Sequence, residues 1–347
     1  LEEEARLTLV GRLLARAEIQ RILQNRLAVE ATLRAAPEIA NQEVRAPIVV
    51  TGLGRSGTTL LHELLALDPA NRVPMQWELM YSVPPPEAAS YATDPRIDRV
   101  RREIGVMDAA DPAFPSMHEL AADLPTECIY VFAHQFASDM FVGEFDIPSY
   151  TIWNGTADMR PAYDYHRRFL RLLQWRNRGE RWALKAPSHL SHLTELFATY
   201  PDARVVVTHR DPLRVIGSLA SLMATLRRMR SDHVDYDAIA GQMAFGFEYL
   251  TARVMEQRDE GLAGDVIDVR YADLVEDPVA TVRSLYETWD LPFDAAHAQR
   301  IRRRLASREN GQGGGHRYSF TDTGLERAEQ RAKFAAYMQR YRIPEEV

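Results

Sequence analysis

One short segment constrains this chain more than any other: Thr51-Gly52-Leu53-Gly54-Arg55-Ser56-Gly57-Thr58-Thr59-Leu60-Leu61. The residues before it, Ile48-Val49-Val50, form a β-branched run suited to a strand covered on both faces. After it, Leu60, Leu61, Leu64 and Leu65 recur at helical spacing. A strand must therefore pass through a glycine-rich turn directly into a helix. Glycines let such a turn curl until successive N–H groups point into one concavity at the positive end of the helix. That concavity grips phosphate or a similar oxyanion. Thr58 and Thr59 add hydroxyl donors, and Arg55 adds a planar fork of charged donors. A strand–turn–helix with no ligand has no need of Arg-Ser-Gly-Thr-Thr.

The spacing of Gly52 and Gly57, with Thr59 after them, matches the GxxxxGK[ST] loop of nucleoside-triphosphate enzymes, but Thr58 replaces its lysine. A second β-branched run, Arg204-Val205-Val206-Val207-Thr208, leads to His209-Arg210-Asp211, so a basic residue precedes the only nearby acid. The loop thus cradles an anion without the usual apparatus for a metal-bound triphosphate. A nucleotide-dependent kinase with a degenerate loop stays open as an alternative, as does a non-catalytic nucleotide-binding protein.

Further strand-like runs are Trp182–Lys185 and Val266–Tyr271, each followed by a helical pattern. This alternation predicts an α/β fold with a P-loop-like parallel sheet flanked by helices. Residues 1–45 read as an N-terminal helical segment and 46–347 as a single α/β domain. That domain carries a large helical insertion at about 75–180, with helices at 94–105, 116–140 and 160–178. Helices are also expected at 294–307 and from about Thr323 to Arg340. Only two of the 42 basic residues are lysines, Lys185 and Lys333, so Lys185 beside a motif carries weight. A net charge of −7 argues against nucleic acid as partner. The single cysteine, Cys128, sits in an apolar run and reads as a buried thiol in a reducing compartment. No apolar stretch approaches the ~20 residues of a membrane span, and nothing reads as a signal peptide. A cytoplasmic enzyme is the expectation. The oligomeric state stays open.

The Arg55–Thr59 loop resembles the 5′-phosphosulfate loop of sulfotransferases that use 3′-phosphoadenosine 5′-phosphosulfate (PAPS). The Arg-Ser-Gly-Thr-Thr form is that of the bacterial and tyrosylprotein branches. The strand ending at Arg210, with Ser218 eight residues on, is similar to the family's 3′-phosphate element. Trp182–Leu190 resembles the bacterial branch's Leu-Lys-x-Pro-x-His strand end. Tyr271 resembles the family tyrosine near the adenine, and Gly315–Ser319 the late loop. The resemblance implies a donor site of Arg55, Ser56, Gly57, Thr58, Thr59, Arg210, Ser218, Tyr271, His316 and Arg317. It implies sulfuryl transfer from PAPS, with no metal, to a hydroxyl of a small molecule, lipid or glycan. The sequence agrees in showing no metal-ligand spacing such as His-x-x-x-His.

Catalysis of such a transfer needs positive groups at the sulfuryl oxygens and a base at the acceptor hydroxyl. Arg55 and Lys185 suit the first task. Two residues compete for the second: Glu78, at the interval where the bacterial and tyrosylprotein branches place a glutamate, and His118, in the manner of the cytosolic branch's histidine. His62 and His189 are further candidates, His62 reading as a packing residue on the loop helix. The arginine runs at 160–171 and 300–304 read as solvated faces.

Overall fold

The computed structural model describes residues 1–111, 114–117, 119–311 and 319–346. The chain divides into two compact units. Unit 1 comprises Leu1–Arg45, Val73–Glu180 and Leu222–Asp235; unit 2 comprises Ala46–Arg72, Arg181–Ser221 and Tyr236–Val347. Among the described residues no helix is long and apolar enough to cross a membrane.

Unit 2 holds the sheet. Its strands are β1 (Ile48–Gly52), β2 (Asn71–Arg72), β3 (Arg181–Lys185), β4 (Arg204–His209) and β5 (Val266–Arg270). They lie in the order β2-β3-β1-β4-β5, and every neighbouring pair is parallel. The α/β fold with a helix-flanked parallel sheet is therefore present. Ile48, Val49, Val50, Val205, Val206 and Val207 have no exposed surface, as expected where β-branched side chains pack a pleated sheet from both faces. After β1 the chain fills one side with β2 and β3, then the other with β4 and β5. Open α/β sheets bind ligands at the carboxyl ends of the strands where the order reverses. Here that point is the end of β1, where the glycine turn begins.

Two details of unit 2 depart from expectation. β2 has no β-branched run to announce it. Asn71 and Arg72 pair with Arg181 and Trp182, and the Asn71 amide donates to Leu65 O and the Tyr286 hydroxyl, both at 2.8 Å. Tyr271 does not end a strand: β5 stops at Arg270, and Tyr271 opens the Tyr271–Glu276 helix. The last ladder pair is His209 with Arg270. Beyond it β4 turns toward Pro212, so Tyr271 has no strand to pair with.

Unit 1 is helical. Its longest helix, Leu9–Ala35, is capped by Thr8, whose hydroxyl accepts from the Gly11 N–H at 3.0 Å. Gly11, Ala15, Ile22, Asn25 and Val29 form its buried stripe. Ala15 and Ile22 pack with Ala5, Ala133, Met140, Phe141, Phe145 and Ile147. Helices Pro95–Ala110 and Arg160–Gln174 lie near the expected positions. The single helix expected over 116–140 is absent. Short helices Phe114–Met117, Ile129–Ala133 and Asp139–Glu144 stand in its place. Pro125 disfavours helix at the residue before it, and the chain there bridges Met75 in an antiparallel pair. Gln76 and Trp77 donate to Leu124 O (3.2 Å) and Ala122 O (3.0 Å), and Thr126 donates to Pro74 O (2.9 Å).

Candidate active site

In unit 2 the turn after β1 is held open from within. Gly52 has φ +146° and Gly57 φ +96°, in the region glycine tolerates best. A Cβ on Gly52 would lie 2.4 Å from Thr208 O, and one on Gly57 2.8 Å from the Tyr271 ring. Arg55 is also left-handed, at φ +68°. A non-glycine residue there is strained and persists only where its surroundings demand it. Ser56 is buried; its hydroxyl donates to Leu53 O at 2.5 Å and lies 2.6 Å from the Thr208 hydroxyl. That hydroxyl shapes the turn from inside. Gly57 caps the Thr58–Leu65 helix, whose first residues are Thr58, buried, and Thr59, exposed.

Arg55 and Ser218, far apart in sequence, meet directly: Arg55 Nε donates to Ser218 Oγ at 3.0 Å. Ser218 sits in the second turn of the Pro212–Arg228 helix. Arg210 joins them, with Nη1 donating to Arg55 O at 3.1 Å. Its guanidinium carbon stands 3.8 Å from the centre of the Tyr271 ring, within cation–π reach. Its other edge engages Glu346: Nε lies 3.0 Å from both carboxylate oxygens, and Nη2 lies 2.7 Å from Oε2. Lys185, the last residue of β3, is buried with Nζ 3.4 Å from Thr59 Oγ1. The two anion-binding elements inferred from sequence thus form one continuous cluster.

Two buried residues beside Arg210 fix its place. His209 Nε2–H donates to Asp268 Oδ1 at 2.9 Å, and its Nδ1 accepts from the Tyr337 hydroxyl at 2.7 Å. Burial pushes the His209 pKa down despite Asp268, which suits this neutral tautomer. Burial pushes Asp268 up, but hydrogen bonds from His209 and Arg258 outweigh it and hold the carboxyl below its ordinary value. Asp211, fully buried, caps the next helix through the Leu213 N–H (3.0 Å). It also accepts from Arg331 (2.8 and 3.0 Å) and from the Glu346 N–H (2.7 Å).

In unit 1, Glu78 lies fully buried on the Gln76–Met80 helix, and its Oε2 accepts from the Met75 N–H at 2.9 Å. Sequence reasoning missed what anchors it. Asn25 Nδ2 donates to Leu79 O (3.2 Å) and Ser82 Oγ (3.0 Å), while Asn25 Oδ1 accepts from the Ser82 N–H (2.9 Å). Ser82 Oγ in turn donates to Glu78 O at 2.8 Å. His134 Nε2 lies 2.9 Å from Asn25 Nδ2. Burial lowers the His134 pKa to about 4, so its neutral Nε2 shares the two amide hydrogens with Leu79 O and Ser82 Oγ. No motif marks this network, because its members are single polar residues scattered among apolar ones.

His118, His316 and Arg317 lie outside the described residues. His62 is a packing residue, as expected, with Nε2 3.0 Å from Ala183 O; His189 and Cys128 are buried. The first arginine run is paired with acids, Arg160 with Asp158, Arg167 with Asp164 and Arg168 with Glu30. Arg300 and Arg304 are not merely solvated: they donate to Leu67 O (2.7 Å) and Glu63 (3.0 Å).

Residues 47–295 match the model of the sulfotransferase family. The chain belongs to that family. The kinase-like alternative is thereby set aside. Among structures, this sulfotransferase-family chain is similar to sulfotransferase STF9 from Mycobacterium avium, with TM-score 0.90, 28% identity, and coverage of 99% of this chain and 89% of that one. It is also similar to sulfotransferase STF1 from Mycobacterium tuberculosis H37Rv, with TM-score 0.84, 30% identity, and coverage of 96% and 88%. A further relative is the omega-hydroxy-beta-dihydromenaquinone-9 sulfotransferase Stf3 of Mycobacterium bovis and Mycobacterium tuberculosis, 25% identical over 265 residues. That match takes in 75% of this chain and 66% of the relative, just under two thirds of its length.

Proposed function

We propose that this chain transfers the sulfuryl group of PAPS to a hydroxyl of a small-molecule, lipid or glycan acceptor. The observation that carries this reading is the junction of Arg55, Ser218 and Arg210 at the carboxyl edge of β1 and β4. A donor phosphorylated at both 5′ and 3′ positions needs two anion sites, and the meeting of these three residues supports that reading. The turn amides, Thr58, Thr59 and Lys185 suit the 5′-phosphosulfate, Lys185 and Arg55 meeting the charge that builds on the leaving phosphate. Arg210 and Ser218 suit the 3′-phosphate, with Tyr271 beside them for the adenine. His316 and Arg317 are assigned to the same end on the resemblance alone.

In the reaction the acceptor oxygen bonds to sulfur as the bond from sulfur to the 5′-phosphate oxygen breaks. The acceptor proton passes to a base, and 3′-phosphoadenosine 5′-phosphate (PAP) departs. Glu78 is assigned that base on its sequence position, with His118 as the competing residue. The named substrate of Stf3 is an ω-hydroxylated quinone lipid, which favours a hydroxyl on an apolar acceptor here. A cytoplasmic setting agrees with the single buried free thiol, Cys128.

Titration calorimetry of PAP against AMP, in buffer without magnesium, tests the donor reading. The expected result is tenfold or tighter binding of PAP, since charge-assisted contacts contribute ~1.5–3 kcal/mol each. Equal affinities would overturn it. Incubation with PAPS and a series of lipid alcohols then tests the acceptor class by release of PAP and formation of sulfate ester.

A further inference from the structure

A carboxylate and a phosphate compete for the same face of a guanidinium, because both present paired oxygens to a fork of N–H donors. Glu346 takes the Nε/Nη2 edge of Arg210 in this manner, at 2.7–3.0 Å. The third nitrogen, Nη1, is turned to Arg55 O, and the flat face lies over Tyr271. The edge that Glu346 covers is thus the one that would receive an incoming phosphate. The pair is well shielded: the side chains are only 13% and 26% exposed. The segment carrying Glu346 is fastened independently of this pair. Its own N–H donates to Asp211, which also holds Arg331 on the Arg327–Tyr341 helix. Glu346 can rotate away while its backbone stays in place.

We propose that Glu346 is an internal occupant of the Arg210 site, a carboxylate that a 3′-phosphate must displace. The proposal rests on the assignment of Arg210 to the donor's 3′-phosphate. A phosphomonoester brings nearly two charges and three acceptor oxygens at neutral pH, whereas Glu346 brings one charge and two oxygens. A ligand with a 3′-phosphate therefore wins the exchange, and a 3′-hydroxyl does not. Glu346 keeps the Arg210 edge hydrogen-bonded between turnovers, and any ligand that takes its place binds less tightly by the cost of displacing it.

Calorimetry with PAP and AMP on four proteins tests this: the full chain, Glu346→Gln, Glu345→Gln and Arg210→Ala. Removing the competing charge should tighten PAP by about three- to tenfold in Glu346→Gln and leave AMP unchanged. Glu345→Gln, at a neighbouring acid 3.7 Å from Arg331, should alter neither. Unchanged or weaker PAP binding in Glu346→Gln would overturn the proposal and make Glu346 a residue that positions Arg210. Equal tightening of PAP in both glutamine variants would also overturn it, showing general charge relief. Arg210→Ala separates the two levels of argument. A selective loss of PAP upholds the site, whatever Glu346 does; an equal loss of PAP and AMP removes the site and the proposal together.

Discussion

Glu78 places two demands on one carboxylate. In unit 1 it closes the first turn of its helix by accepting the Met75 N–H, and in the proposed reaction it takes the acceptor's proton. Glutamine retains an acceptor oxygen for the first task and lacks a basic one for the second. Glu78→Gln should therefore lower turnover by ~10²–10⁴-fold while leaving thermal stability within about 2 °C, measured by steady-state assay and calorimetric melting. Glu78→Ala should lose the same activity and in addition ~0.5–2 kcal/mol of stability, as for other lost helix caps. Retained turnover in both variants would move the base to another residue, His118 first. Arg55 shows a different pairing of demands, on backbone and side chain. Its left-handed conformation is what brings its carbonyl to Arg210 and its Nε to Ser218, so its strain belongs to the assembly of the anion cluster.

Among the elements, the buried histidines of unit 1 contribute to the response to acid. Burial holds His134 at about 4 and His166 at about 3, both below the ordinary 6.5. Unfolding releases them to bind protons that the folded state refuses. Their contribution to stability is fully present above pH 6.5 and is lost as pH falls through 4 to 3. Melting temperature should accordingly decline below pH 6.5. His166→Phe, which keeps a ring against Phe132, should flatten that decline by up to about 1.4 kcal/mol per pH unit. An unchanged acid limb would count against this account. The elements themselves were legible in the sequence to unequal degrees. Strands β1, β3, β4 and β5 announce themselves as apolar or β-branched runs, and the Arg55 and Arg210 motifs point to the cluster that the fold brings together. β2 was hidden because two polar residues carry no periodicity. The helix expected at 116–140 runs across Pro125, where backbone pairing with 74–77 prevails. Asn25, Ser82 and His134 were invisible because their bonds span 57 and 109 positions of sequence. Glu346 belongs to no sequence motif.

At the scale of the molecule, the proposed donor binding should be linked to the stability of unit 2, where Arg55, Lys185, Arg210 and Ser218 reside. PAP at a hundred times its dissociation constant should stabilise the folded form by ~2.7 kcal/mol. Differential scanning calorimetry should show the melting of unit 2 rising by several degrees. Arg210→Ala should reduce that rise, and AMP should produce less of it. The same unit has a property unconnected with its ligand. A parallel sheet ends in two rows of unpaired N–H and C=O groups, which can recruit strands from other chains and begin aggregation. At one margin β2 contributes only Asn71 and Arg72, too little for a stranger to zip onto. At the other, β5 carries Asp268 and Arg270, both tied into ion pairs with Arg258 and Asp273. An incoming strand would have to desolvate or break those pairs. The brevity of β2 and the charges of β5 thus give the folded sheet few places to begin a fibril, and an Asp268→Val change at the β5 margin would give it one.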